Sequence, residues 1–181
     1  MANVVESSVT EDQETEMIPQ KEEASDLRAR MLGFESAISQ QPGAKFGDDA
    51  GPLSHFFADG LYIRQYTGLK NTIAVSKLHK TNHPYFVLEG CASIITEEGP
   101  VRIEAPHWGI TKAGTKRILY FHEETIWITV HATEETDLEK IEDVVIAKTY
   151  DDLPESTKKS LGIESRTKQI PSLIITKESE V

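Results

Sequence analysis

His79-Lys80-Thr81-Asn82-His83-Pro84-Tyr85-Phe86-Val87-Leu88-Glu89-Gly90 is the stretch that decides the fold. Two histidines four residues apart lead into a run rich in aromatic and β-branched side chains, which ends at a glycine. Such a run, bounded by turn residues, reads as a β-strand. A second punctuation mark, Gly114-Thr115-Lys116-Arg117, follows two further short runs.

Outward from this stretch the pattern stays β-like. The runs are Leu61–Thr67, Thr72–Leu78, Tyr85–Thr96, Val101–Ile103, Trp108–Thr111, Arg117–Phe121 and Ile126–Ala132. Breakers separate them: Gly68, Asn82 with Pro84, Glu98-Gly99-Pro100, Ala105-Pro106, Ala113-Gly114, and His122 to Thr125. Several runs alternate, with Ile73, Val75 and Lys77 on one face and Ala74, Ser76 and Leu78 on the other. Short strands at this spacing predict a sandwich or barrel, whose closure removes exposed edges and leaves an interior able to hold one small ligand.

The flanks read differently. Residues 1–24 form an acidic, aperiodic arm expected to be disordered. Residues 25–54 hold a short helix, capped by Ser25 with Leu27, Met31, Phe34 and Ile38 on one stripe, and then a loop from Gln40 to Gly51. The stripe is expected to dock on a barrel face, or else on a partner. Residues 55–133 are the barrel, and 134–181 a helical and polar tail. In that tail Thr136 and Glu139 make a capping box before Leu138, Ile141 and Val145. Asp151 to Lys159 is a second short helix, stopped at Gly162. Leu173-Ile174-Ile175 is an isolated apolar patch suited to packing on its own domain or on a neighbouring subunit.

Charge and cysteine usage exclude several functions. The net charge is −11, yet the span 55–132 holds eight Lys and Arg against seven acids, so it carries +1 and the flanks carry −12. Acidic flanks repel nucleic acid and anionic membrane, so neither is an expected partner. No apolar run is long enough to span a bilayer, and the N-terminus lacks a signal-peptide profile, so a cytoplasmic protein is expected. Cys91 is the only cysteine, which excludes an intrachain disulfide and any cysteine-rich zinc site; within an apolar run it reads as a small buried hydrophobe. No phosphate-binding glycine loop, nucleophile elbow or Cys-His pair is present.

The segment 59–132 resembles the cupin superfamily, in particular small single-domain cupins of bacteria and bacteriophages. The resemblance is carried by Gly60-Leu61-Tyr62-Ile63-Arg64, by His83 to Gly90, by Gly114-Thr115-Lys116-Arg117, and by His131 to Leu138. It implies an all-β, double-stranded β-helix (a jelly-roll barrel) with short flanking helices and polar tails, and it implies a homo-oligomer, usually a dimer. The family's first motif places two histidines and a glutamate before the strand. Anchored on Gly90, those positions fall on Lys77, His79 and His83, and the second motif's histidine falls on Arg117.

That replacement has a physical consequence. An ammonium and a guanidinium in place of imidazoles remove two electron-pair donors and add two positive charges, which oppose a cation and suit an anion. The leading expectation is a pocket for a small anionic ligand, bound by Lys77, His79, His83 and Arg117, with no cofactor. Arg64 shares a strand face with Tyr62 and Tyr66, which either lines the pocket or covers the barrel exterior. An alternative is a metal-dependent enzyme, an oxygenase or isomerase, with a divalent metal on His79 and His83 completed by His122 or His131. A third reading makes the barrel a rigid block in a bacteriophage virion, with the arms making the contacts.

Overall fold

The computed structural model describes residues 21–45 and 47–163. The disordered arm expected before residue 21 and the patch Leu173-Ile174-Ile175 lie outside the described residues. The first helix, α1, spans Lys21–Ser39 and so begins before Ser25. Met31 is buried and Leu27 and Ile38 are half-buried, but Phe34 of the expected stripe is exposed.

Eleven strands follow in the described residues: β1 Leu53–Ala58, β2 Leu61–Gly68, β3 Ile73–Val75, β4 Leu78–His79, β5 His83–Glu89, β6 Cys91–Thr96, β7 Gly99–Glu104, β8 His107–Thr111, β9 Ile118–Phe121, β10 Thr125–Ala132 and β11 Ile146–Ala147. One sheet has the order β1-β2-β10-β5-β8, the other β3-β9-β6-β7, and β4 pairs with β11. All pairs are antiparallel. The pairs β5·β8 and β6·β7 nest inside β2·β10 and β3·β9, so a long hairpin has been folded over and rolled. That order defines an eight-stranded jelly roll, with β1 added at one edge.

The expected run from Tyr85 to Thr96 is two strands. Gly90, at φ +86°, turns the chain from one sheet into the other. A Cβ there would collide with the Glu124 carbonyl oxygen, so the position requires glycine for both backbone and space. The run from Thr72 to Leu78 is also broken, at Ser76 and Lys77.

Between the sheets, Val87, Ala92, Ile94, Ile103, Leu119, Phe121 and Trp127 form the main core. Cys91 is buried beside it, as expected of a small hydrophobe. The inner side of the five-stranded sheet is layered along its register. Tyr66, Trp127 and Val87 form an apolar layer. Arg64, Thr129 and Tyr85 come next. Tyr62 opposite His131, and His83 opposite Thr111, make the last layer.

Helix α2, Leu138–Val145, covers this last end. Its N-cap is Asp137, whose side chain accepts from the Glu139 backbone N–H, one residue beyond the expected Thr136 cap. Ile141 and Val145 pack on Tyr62, and β11 then zips onto β4, with Ile146 opposite His79. The second expected helix is divided: a 3-10 turn spans Tyr150–Asp152, and α3 spans Glu155–Ser160 after Pro154. Helix α1 is fastened outside the barrel by Arg28 to Glu97 at 2.6 Å and by Glu35 to the buried Lys116 at 2.6 Å. No helix of the described residues is long and apolar enough to cross a membrane.

Candidate functional site

His79, His83 and His131 meet at the end of the barrel beneath α2. Each is placed by strand geometry. His131 stands two residues beyond Thr129 and four beyond Trp127, on the inward parity of β10. His83 opens β5 on the same parity as Tyr85 and Val87. His79 ends the two-residue strand β4, which is held by β11 on one side and by the Gly114 N–H donating to the His79 carbonyl at 2.8 Å. The ring centroids are 4.2 Å apart for His79 and His83, 4.4 Å for His83 and His131, and 5.1 Å for His79 and His131.

One nitrogen from each ring lies within 4.8 Å of the other two. The Nδ1 atoms of His79 and His131 and the Oγ1 of Thr111 are buried with no hydrogen-bond partner among the described residues. Buried polar atoms are nearly always paired, so three orphans in one place mark a position for something that binds. His83 differs in that its Nδ1 lies 3.3 Å from the Thr81 carbonyl. That contact favours the proton on Nδ1 and leaves Nε2 with a free lone pair.

The three rings are held neutral. Burial pushes His83 down to about 4, against a partly restoring hydrogen bond that its Nδ1–H donates to the Thr81 carbonyl, and Arg117 pushes the same way as burial. His131 falls to about 3, through burial and then its neighbours His83 and Arg64. His79 falls to about 2, through burial first and then His83, His131, Arg64 and Arg117. A neutral imidazole is the metal-binding form.

Arg117 enters from the loop before β9, its guanidinium 5.3 Å from the Tyr85 ring centre. Burial lowers its pKa below the ordinary guanidinium value, against Tyr85 and Glu98. Arg64 projects inward between Tyr62 and Tyr66, which settles which face that strand presents. Together with Lys77, His55, Tyr62, His79, His131 and residues of α2, Arg64 lines a cavity of about 390 Å³.

The structure therefore groups His79, His83, Arg117 and Arg64, and Lys77 lines the outer part of the same cavity. The Lys77 ammonium reaches Glu142 of α2 at 2.6 and 2.7 Å. The break at Ser76–Lys77 interrupts strand alternation, and the carboxylate above the rim gives the charge a partner nearer solvent. The two histidines proposed as a third imidazole also separate. His131 joins the cluster, whereas His122 lies 2.8 Å from the Ser93 hydroxyl and packs edge-on against Tyr120. Thr111, Tyr85 and the α2 carboxylates escaped sequence reasoning because only the fold brings them near the histidines.

A divalent ion fits this donor set in chemistry. Three nitrogens bound at about 2.1 Å stand about 3.4 Å apart, so nitrogens now within 4.8 Å of one another must close by up to roughly 1.4 Å. Among the described residues, no carboxylate belongs to the cluster. Arg64 and Arg117 lie near enough to depress His79, so a cation here requires an anion beside it to offset the charge.

No protein-family model matches the chain, and no curated protein matches it significantly. Among solved structures, it is similar to a cupin-2 domain containing protein from Shewanella frigidimarina, at 10% identity and a TM-score of 0.38, covering 59% of this chain and 98% of that one. It is similar to the Schizosaccharomyces pombe Cnp3 cupin domain at 13% identity and a TM-score of 0.40, over 53% of this chain and 72% of that one. Ectoine synthase from P. lautus follows at 15% identity and 0.39, over 46% and 62%. The nested order β2-β10-β5-β8 facing β3-β9-β6-β7 is that of a double-sheet jelly roll, an architecture that cupins share.

Proposed function

We propose that the barrel is a small-molecule site in which His79, His83 and His131 hold a divalent transition metal, and Arg64 and Arg117 recruit an anionic ligand to it. The observation that carries this reading is the meeting of three neutral imidazoles from three separate segments, with two buried nitrogens left without partners. A core that needed only to be filled would use aliphatic side chains, since each unpaired buried polar atom costs about 1–3 kcal/mol.

A bound ion of this class supplies Lewis acidity and open coordination positions. The chain's own groups do the rest. Arg117, fixed over Tyr85, offers a planar fork for a carboxylate or phosphate oxygen pair. Arg64 offers a second such fork from the opposite strand. Thr111 offers a hydroxyl that is otherwise unsatisfied. Helix α2, with Ile141 and Val145 turned down on Tyr62, covers one side of the end of the barrel.

A second reading keeps the anion and omits the metal. It is favoured by the cluster's lack of any carboxylate and by the two guanidiniums beside it. Elemental analysis of protein purified without chelator, followed by calorimetric titration with dicarboxylates and phosphate before and after metal removal, separates the two. The metal reading expects near-stoichiometric zinc, iron, manganese, cobalt or nickel, and heats that fall when it is stripped. Metal-free protein that binds anions equally well before and after refilling refutes it.

A further inference from the structure

Building on the metal reading above, we infer that Glu142 of α2, paired with Lys77 in this structure, is the anionic ligand that completes the histidine site. Three neutral imidazoles beside two guanidiniums give a divalent ion no negative charge of their own. A carboxylate among the ligands offsets much of the ion's charge. Glu142, Lys77, His79 and His131 all line the same cavity of about 390 Å³. The backbone fixes the reach between them. The Ile146 N–H donates to the Glu142 carbonyl at the end of α2, and Ile146 lies opposite His79 where β11 pairs with β4. One helical turn of about 6 Å and one antiparallel pair spacing of about 5 Å put the two Cα atoms at most about 11 Å apart. A glutamate carboxylate extends about 5 Å from its Cα and an imidazole nitrogen at least about 3 Å, and a metal between them adds about 4 Å. The span therefore closes by side-chain rotation alone. The backbone can stay where it is, held by the Lys80 N–H donating to the Val145 carbonyl at 2.8 Å and the Lys80 ammonium donating to the Asp143 carbonyl at 2.6 Å.

Three acids of α2 line the cavity, Glu139, Glu142 and Asp143, and helix geometry selects one. Ile141 and Val145 mark the face turned down on the barrel. At 3.6 residues per turn, Glu142 stands about 80° from the middle of that face, against about 140° for Glu139 and about 180° for Asp143. Its carboxylate already meets the segment that carries His79, since Lys77, two residues earlier, reaches it at 2.6 and 2.7 Å. The two side chains are 32% and 48% exposed, and an ion pair so open to water is a weak competitor for a carboxylate. Ligation releases the Lys77 ammonium into the cavity, where it joins Arg64 in facing an anion.

The test is cobalt(II) titration of the metal-stripped full chain, read by visible absorption for both affinity and spectrum. It compares the wild type with Glu142→Gln, Glu142→Asp and Glu139→Gln, each checked by urea denaturation to be folded without metal. Both Glu142 variants should bind at least about tenfold more weakly, the scale found even for groups that only support a ligand, and should shift the visible band. Glu142→Asp keeps the charge but is about 1.5 Å shorter, so it separates ligation from attraction through space. Glu139→Gln should match the wild type. Wild-type affinity and spectrum in Glu142→Asp, or an equal loss in Glu139→Gln, overturns the inference and leaves the histidine site standing. A folded wild-type protein that takes up no cobalt overturns it together with the metal reading.

Discussion

Lowering the pH from 7 to 5 in the absence of metal should destabilise this protein steeply, through three residues. His79, His83 and His131 stay neutral in the folded barrel well below their ordinary value, at about 2, 4 and 3. In the unfolded chain each takes a proton near pH 6.5. The unfolded state therefore binds more protons across this window, and stability falls as the pH falls. The stability is fully present above about pH 7 and drains away toward the folded-state values. Each group loses about 2 kcal/mol between pH 7 and 5, so the three together approach 6 kcal/mol, comparable with the whole stability of a marginal domain. Carboxylates contribute little over that range. The assay is urea denaturation of chelator-treated protein at a series of pH values. Unfolding at pH 5 should take up nearly three protons, and His131→Gln should reduce the uptake by about one. An uptake below one proton, or a variant with the wild-type slope, would refute the claim that the imidazoles are buried and neutral.

Other outcomes follow from the same geometry. Gly90→Ala should abolish folding or cost several kcal/mol in thermal denaturation, because a Cβ would meet the Glu124 carbonyl at a positive φ. Phe121→Ala should cost about 3–5 kcal/mol by denaturant titration, since Phe121 is the largest fully buried side chain of the core. Arg117→Met should preserve the fold and reduce calorimetric anion affinity by at least tenfold, as expected for a lost charge-assisted bidentate contact. Glu142→Gln, which frees the Lys77 ammonium at the rim, should change stability by less than about 1 kcal/mol, because the pair is partly exposed.

Much of the barrel is legible in the chain because its strands alternate and its breakers are glycine and proline. Seven expected runs fall on strands of the two main sheets. β1 is not legible: Leu53, His55 and Phe57 on one side, and Ser54, Phe56 and Ala58 on the other, separate no polar face from an apolar one. In the fold Leu53 and His55 are half-buried on the cavity side while Ser54, Phe56 and Ala58 are exposed, as suits a strand added at the sheet's edge. Gly90 is legible as the glycine that ends the first run, but apolar residues resume directly after it, and the change of sheet at its positive φ is seen only in the fold.

The site divides along similar lines. His79 and His83 have local spacing, and Arg117 has the turn before it, so sequence alone singles them out. Lys77 follows the alternation on paper, but the chain leaves the sheet at that point and Glu142 draws the side chain to the rim. Choosing His131 over His122 is a question of which end of the barrel each strand terminus reaches. The residues next to them are alike: His122 precedes two glutamates, and His131 is followed shortly by two more. Only the pairing of β10 with β2 and β5 places His131 beside the other imidazoles.

Cobalt(II) titration of metal-stripped protein, read by its visible absorption, tests the central claim most directly. The account predicts saturation at one ion per chain, a spectrum of nitrogen coordination, and loss of that signal in His79→Ala, His83→Ala and His131→Ala alike, while His122→Ala retains it. Uptake that survives His131→Ala, or no uptake by the folded wild-type protein, would contradict it.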